Sequence, residues 1–433
     1  MPSHAASAEF SIAAGPAPLQ DAIAGADPGD VLILEPGRHI GPVRIDKPLS
    51  LRGAPGAMLE GNGTGSVVTI DAEGVAVSGL IITGSGNDHS TIDSGVQLTK
   101  AAKGAVVESN HLTGNLYGID IHGARDAVAR GNVIEGRQDA RMNDRGNGVY
   151  VWNAPGAVVE GNDIRWGRDG IFVNASRRND FSNNRFRDLR FAVHYMYTHD
   201  SRVEGNVSIG NHLGYAVMYS DRVQILNNLS LRDRDHGVML NYANGGDVAG
   251  NLVRGGAEKC TFIYNSHRNL IAGNRFEGCG IGIHFTAGSE RNAITDNAFI
   301  GNRTQVKYVG TSDVEWSLEG RGNYWSDHPA FDLNGDGIAD APYRPNDLMD
   351  QILWSQPAAS ALVGSPAVQL IRWSQSSFPV TMPGGVVDSF ALTAPVQVPV
   401  PEDIAAQEAA AEPRWLKEGY EQGHDTSDPL ASH

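Results

Sequence analysis

Asn162-Asp-Ile-Arg-Trp-Gly-Arg-Asp-Gly-Ile-Phe-Val-Asn-Ala-Ser-Arg-Arg-Asn-Asp-Phe-Ser-Asn-Asn184 is one period of a repeat that runs through most of this chain. Asparagine, usually after glycine, recurs at Asn110, Asn132, Asn162, Asn184, Asn206, Asn228, Asn251, Asn274 and Asn297, in steps of 22, 30, 22, 22, 22, 23, 23 and 23 residues. The single 30 is a 22 with eight extra residues in the polar stretch 137–145, which reads as a loop insertion. A fixed period in the twenties marks a solenoid with one supersecondary unit per repeat. Upstream of the asparagines lie short alternating runs: Ile119-Asp-Ile121, Val149-Tyr-Val151, Ile171-Phe-Val173, Val193-His-Tyr195, Val217-Met-Tyr219, Val238-Met-Leu240 and Ile283-His-Phe285. Alternation in β-branched runs too short for a helix means strands. The expected fold is all-β: a right-handed parallel β-helix of about 22–23 residues per coil, its asparagines stacked in a ladder of amides. Eight steps at roughly 4.8 Å span on the order of 40 Å.

The rest of the chain is read around that core. Asp30–Gly37 and Val67–Asp71 look like opening coils, and 18–24 (PLQDAIA) reads as a short helix that plugs the N-terminal end. The period slips to 26 at Asn323 and stops. The expected organisation is an N-terminal segment and cap over 1–26, the β-helix over 27–323, a short C-terminal capping or docking module over 324–394, and a disordered Pro-, Ala- and Glu-rich tail over 395–433. Glycine is 52 of 433 residues, roughly 12% against a usual 7%, as many tight turns require. The net charge is −16, with no basic stripe for nucleic acid, and no apolar run is long enough to span a membrane. Cys260 and Cys279 allow one disulfide or two free thiols. Ala6-Ser7-Ala8 has the form of a signal-peptidase site without an apolar stretch before it, so the start reads either as a trimmed secretory precursor or as a plain Ala-rich terminus.

Because alternate side chains point opposite ways, the residues between the β-branched positions face outward. That column reads Asp120, Tyr150, Phe172, His194, Met218, Met239, Ile263 and His284, and the next reads His122, Trp152, Asn174, Met196, Ser220, Asn241, Asn265 and Thr286. Thioethers and imidazoles on adjacent rungs suit copper, Cu(I) above all. His194, Met196, Met218, Met239 and His284 are therefore the copper candidates. The alternative is a covered contact surface in which Met fills gaps. His39, His89, His111, His212 and His236 fall in turns or off the column and read as structural. Asp332, Asn334, Asp336, Asp340 and the carbonyl of Ile338, with Gly337 between, have the spacing of a calcium loop. Tyr343 stands where the bidentate Glu belongs, so Asp327 or Asp347 would have to complete the shell; the same residues also make tight turns without an ion. From Ile352 to Trp373 two short amphipathic pieces are interrupted by Pro357 and Pro366, and Leu353, Trp354, Leu370 and Trp373 are the candidates for docking on a partner or for capping the solenoid.

Gly29–His39, the Gly-Asn coils, Gly322-Asn-Tyr-Trp-Ser-Asp327, the 332–340 loop, Ala341-Pro-Tyr343 and Arg372–Pro379 together resemble the NosD family, within the wider carbohydrate-binding and sugar-hydrolase group of right-handed β-helices. The resemblance covers nearly the whole chain and is most specific over 310–395. It implies a periplasmic maturation protein of nitrous oxide reductase, and hence a part in denitrification. It further implies docking on the membrane and ATPase subunits of an ABC transporter, and copper received from a lipid-anchored chaperone. The competing class is a carbohydrate-binding or polysaccharide-modifying β-helix. Glycoside hydrolysis needs two carboxylates at a set separation, and the outward columns supply Asp120 alone. Asp169 and Asp235 read as coil corners, and Arg234-Asp-His-Gly237 lacks partner acids. No catalytic residue is assigned.

Overall fold

The computed structural model describes residues 7–410 apart from Pro18, 139–140, Ala287, Thr311, 347–348, Gln351, 353–355, 363–364 and 378–384. Three long parallel sheets of 13, 12 and 13 strands run the length of a β-solenoid, each coil giving one short strand to each sheet. Valine, isoleucine, leucine and phenylalanine from all three sheets fill the bore in a single apolar core.

The Gly-Asn recurrence has a local cause. The residue before each ladder asparagine turns the chain in the left-handed region: Gly131, Gly161, Gly205, Gly250 and Gly273 have φ between 61 and 66°, and Asn183 and Asn227 take the same place at 56 and 54°. The asparagine that follows is buried. Its amide nitrogen donates to the carboxamide oxygen of the next coil, at 3.0 Å from Asn132 to Asn162, 2.9 Å from Asn162 to Asn184 and 3.0 Å from Asn228 to Asn251. That oxygen also accepts the backbone N–H of the asparagine below, so each rung meets the polar demands of a corner closed to water. The ladder extends one step beyond the regular period, to Asn323, and ends on Asp388, which accepts from Asn323 N, Asn323 Nδ2 and Trp325 Nε1 at 2.7, 3.2 and 2.8 Å. Gly322 has no side chain because Asp388 lies where one would project.

A helix at Leu19–Gly25 buries Leu19 and Ile23, and Lys47 Nζ closes its C-terminal end on the carbonyls of Ala24 and Ala26. At the other end Trp325 stacks between Phe299 (4.4 Å) and Tyr343 (4.7 Å), while Val314–Glu315 pairs in parallel with Val386–Val387. Cys260 and Cys279, left open by the sequence, are joined in a disulfide between adjacent coils. The described residues from Pro399 form a separate unit with a helix at Glu402–Ala410; the rest of the expected tail, 411–433, lies outside the described residues. No helix among the described residues is long and apolar enough to cross a membrane.

Candidate functional site

The outward face of the 12-stranded sheet carries the expected columns, with two corrections. Strand Phe191–Met196 pairs with Leu213–Met218 so that His194 lies opposite Ala216, and Met218 lies opposite Met196. Met218 therefore belongs to the second column, in the place expected for Ser220. The inward residues of that strand are Tyr215 and Val217; Tyr219, expected inside, turns outward at φ 50° and is 40% exposed. In the coil of Cys260 the outward residue is Phe262, opposite both Met239 and His284, and Ile263 points into the core.

The corrected register still groups four of the five copper candidates. Ala216 is flanked by His194 on the rung below, Met239 on the rung above and Met218 two residues along its own strand. Side chains two apart on a strand share a face, so Met196 also joins the group from beside His194. Alanine offers only a methyl here, which leaves the longer thioethers and the imidazole around it. Phe191, Leu213, Ala216, Met218, Met239 and Phe262 form a second apolar cluster, separate from the bore, with Met196 and Tyr264 packed against it. Beyond it the exposed rings of Tyr197, Tyr219 and Tyr242 stack at 5.2 Å spacing.

His194 is held from three sides. Phe172 tilts over it at 4.9 Å and Phe191 meets it edge-on at 4.8 Å. Its Nδ1 lies 3.3 Å from Asp169 Oδ2, and its Nε2 is buried with no hydrogen-bond partner. An imidazole that donates Nδ1–H to a carboxylate presents a bare Nε2 lone pair, the arrangement that orients metal-binding histidines. Asp169, expected at a coil corner without chemistry, is fully buried and grips Arg190 through two bonds of 2.8 Å. Burial works to raise its pKa, yet the His194 hydrogen bond and the Arg190 charge outweigh it and hold the carboxyl well below the usual range.

His284 does not join this group. Phe262 stands between it and Met239, its ring tilted 38° to the imidazole at 4.8 Å. Burial pushes the pKa of His284 down to about 3, helped by the charges of Lys259, Lys307 and His236. Those positive neighbours oppose a cation. Among the described residues no three His, Cys, Asp or Glu side chains converge as a metal cage, so soft coordination here rests on one imidazole and the thioethers.

In the 332–340 loop the side-chain oxygens accept backbone amides of the turn itself. Asp332 accepts from Gly335 N and Gly337 N at 2.6 and 2.8 Å, Asp336 from Ile338 N at 2.9 Å and Asp340 from Leu333 N at 2.9 Å. Asn334 bonds Asp336 at 2.9 Å, and Asp327, a candidate to complete a calcium shell, accepts the Tyr343 hydroxyl at 2.8 Å. Asp347, the other candidate, lies outside the described residues. Of the docking candidates, Leu353 and Trp354 also lie outside them, whereas Leu370 and Trp373, 63% and 61% exposed, sit on a helix at Pro366–Ser377.

Counting from the ladder would have found the register: Met196 and Met218 each lie twelve residues after a ladder asparagine, Asn184 and Asn206. Phe191 and Leu213, seven after the same asparagines, are the apolar anchors the alternation missed.

A family model described as "periplasmic copper-binding protein (NosD)" matches residues 130–330. The chain is 39% identical over 373 residues to the "probable ABC transporter binding protein NosD" of Stutzerimonas stutzeri, covering 83% of this chain and 86% of that protein. It is 40% identical over 372 residues to the protein of the same name from Pseudomonas aeruginosa, covering 83% and 87%. Among solved structures, the family 28 exopolygalacturonase of Yersinia enterocolitica superposes with a TM-score of 0.53 at 12% identity, over 67% of this chain and 72% of that one. The exopolygalacturonase of Thermotoga maritima superposes with 0.50 at 12%, over 65% and 84%. At that identity the likeness concerns the β-helix fold alone.

Proposed function

The chain belongs to the NosD family of periplasmic copper-binding proteins, and from that membership we propose that it handles copper in the periplasm, docked on an ABC transporter, during maturation of nitrous oxide reductase. Copper is cargo in this reading, taken as Cu(I) from a lipid-anchored chaperone and passed on. His194, Met218 and Met239 around Ala216, with Met196 beside them, are the transfer site. The observation that carries it is the unpartnered, buried Nε2 of His194 in a wall of methionine and aromatic side chains. One nitrogen and soft sulfurs favour Cu(I) over harder divalent ions, and a site without anionic ligands suits an ion in transit. His284 is left out because two lysines flank it; calcium, held by Asp332, Asn334, Asp336, Asp340 and the Ile338 carbonyl, would be a separate structural ion.

Docking is assigned to Leu370 and Trp373, one helical turn apart on the Pro366–Ser377 helix, together with Leu353 and Trp354. The name of the two relatives supports a transporter as the partner. The test is competition for Cu(I) against a chromogenic chelator under reducing, anaerobic conditions. The wild-type chain withdraws one Cu(I). The triple variant His194→Gln, Met218→Leu, Met239→Leu keeps the β-sheet spectrum and withdraws none. Unchanged copper uptake by that variant refutes the site.

A further inference from the structure

On the same sheet face as the methionines, two to four rungs below Met196, an open cleft of about 510 Å³ lies where the 12-stranded sheet turns its corner. One wall is the column Thr99, His122 and Trp152; His122 and Trp152 stack at 4.3 Å. The other wall is Arg125, Pro155 and Arg177, which occupy one turn position in successive coils, and Lys100 closes the lower end. The floor is Gly123 and Asn153, both left-handed (φ 76 and 45°); at Gly123 any side chain would crowd Lys100.

The charge here runs against the chain. The protein carries −16, and along its other faces Arg130, Arg165, Arg187, Arg202, Arg222 and Arg321 each hold a carboxylate on a neighbouring coil. Lys100, Arg125 and Arg177 have no such partner among the described residues, and no carboxylate lines the cleft. The buried Asp120, two residues along the same strand and 3.8 Å away, raises the pKa of the His122 imidazole.

We propose that this cleft binds an acidic oligosaccharide, a short chain of sugar rings with one carboxylate per ring. The coil rise sets the spacing: Arg125 and Arg177 are two steps apart, roughly 10 Å at about 4.8 Å per coil, which suits carboxylates on alternate rings of a chain lying along the solenoid. Asn153, on the rung between the two arginines, is both donor and acceptor, as sugar hydroxyls require, and Gln97 and Thr99 line the end next to Lys100. Trp152 supplies an apolar surface for ring C–H groups. A phosphate chain packs its charges more closely and uses neither the amides nor the indole. The volume lies in the usual range of about 300–1,000 Å³ for small-ligand sites. Nothing in this proposal depends on copper.

Calorimetric titration of the full chain tests it with four probes: trigalacturonate, maltotriose, tripolyphosphate and an acidic hexapeptide. Trigalacturonate binds, and rising salt weakens it. Arg125→Gln with Arg177→Gln weakens it about tenfold or more, and Trp152→Ala weakens trigalacturonate but not tripolyphosphate. All three residues sit at the surface, and an unchanged far-UV spectrum establishes that the variants are folded. Equal binding of maltotriose, tighter binding of tripolyphosphate or of the peptide, indifference to the variants, or no trigalacturonate binding at millimolar concentration each overturns the proposal.

Discussion

Asp169 serves Arg190 and His194 at once, and both roles can be measured. Asp169→Asn removes the acceptor that fixes the His194 tautomer, so Cu(I) affinity falls by about 10–100-fold. It also leaves Arg190 without its buried partner, and unfolding in urea reports a loss of up to about 3–5 kcal/mol. The folded carboxyl titrates below the unfolded one at 3.8, so on acidification the unfolded state binds the proton first. The contribution of Asp169 is thus complete above pH 4 and is lost as the pH falls below it. Asp233 has the opposite sign. Buried against Ser208, Ser230 and the Asn211 N–H, it is pushed up to about 6 by desolvation. The folded state then binds its proton first, and the stability it adds, full below 3.8, is lost as the pH rises through about 6. An amide accepts from Asn211 N and donates to the two hydroxyls equally well, so Asp233→Asn folds, and its urea midpoint varies less between pH 4 and 6. Neither carboxylate was legible as chemistry in the sequence, because an Asp at a coil corner looks the same whether it faces water or a buried arginine.

At the scale of strands and turns, the period told nearly everything and alternation told less. Recurrent Asn at 22–23 residues specified coils, turns and ladder because one buried amide per corner has no other way to be satisfied. Alternation specifies only which face a residue occupies; a slip of two keeps every residue on its face and moves it to another column, as happened to Met218. A slip of one exchanges the faces, as happened to Ile263 and Phe262. The ladder is also where a single truncation is felt most. Asn228→Ala removes the acceptor of Asn206 N, one of the acceptors of Asn206 Nδ2 and the side-chain donor to the Val203 carbonyl in a dry corner. The expected cost is about 3 kcal/mol or more, read as a lowered urea midpoint and as faster amide exchange in the coils on either side. A variant as stable as wild type would mean that the ladder is ornamental.

For the molecule as a whole, the solenoid is a scaffold that sets separate surfaces along and around one axis: a cationic cleft on the early coils, a methionine and histidine wall at the middle and two lysines beyond it. Leu370→Ser with Trp373→Ser removes exposed apolar area outside the bore, so thermal stability stays within about 0.5 kcal/mol of wild type. Co-purification with the transporter's membrane subunits is lost, whereas undiminished capture places docking elsewhere. Chain order foretold the coils but not these surfaces, because each is assembled from residues about 22 positions apart whose register the pattern alone leaves free by two. The amide column has one more effect. Every carboxamide points the same way, so its bond dipoles add. The donor end terminates on the Asp388 carboxylate, and the acceptor end, at Asn110, is closed by the Leu80 N–H. Neither end of the column is left with an unmet hydrogen bond, so the ladder itself offers a second solenoid nothing to stack on.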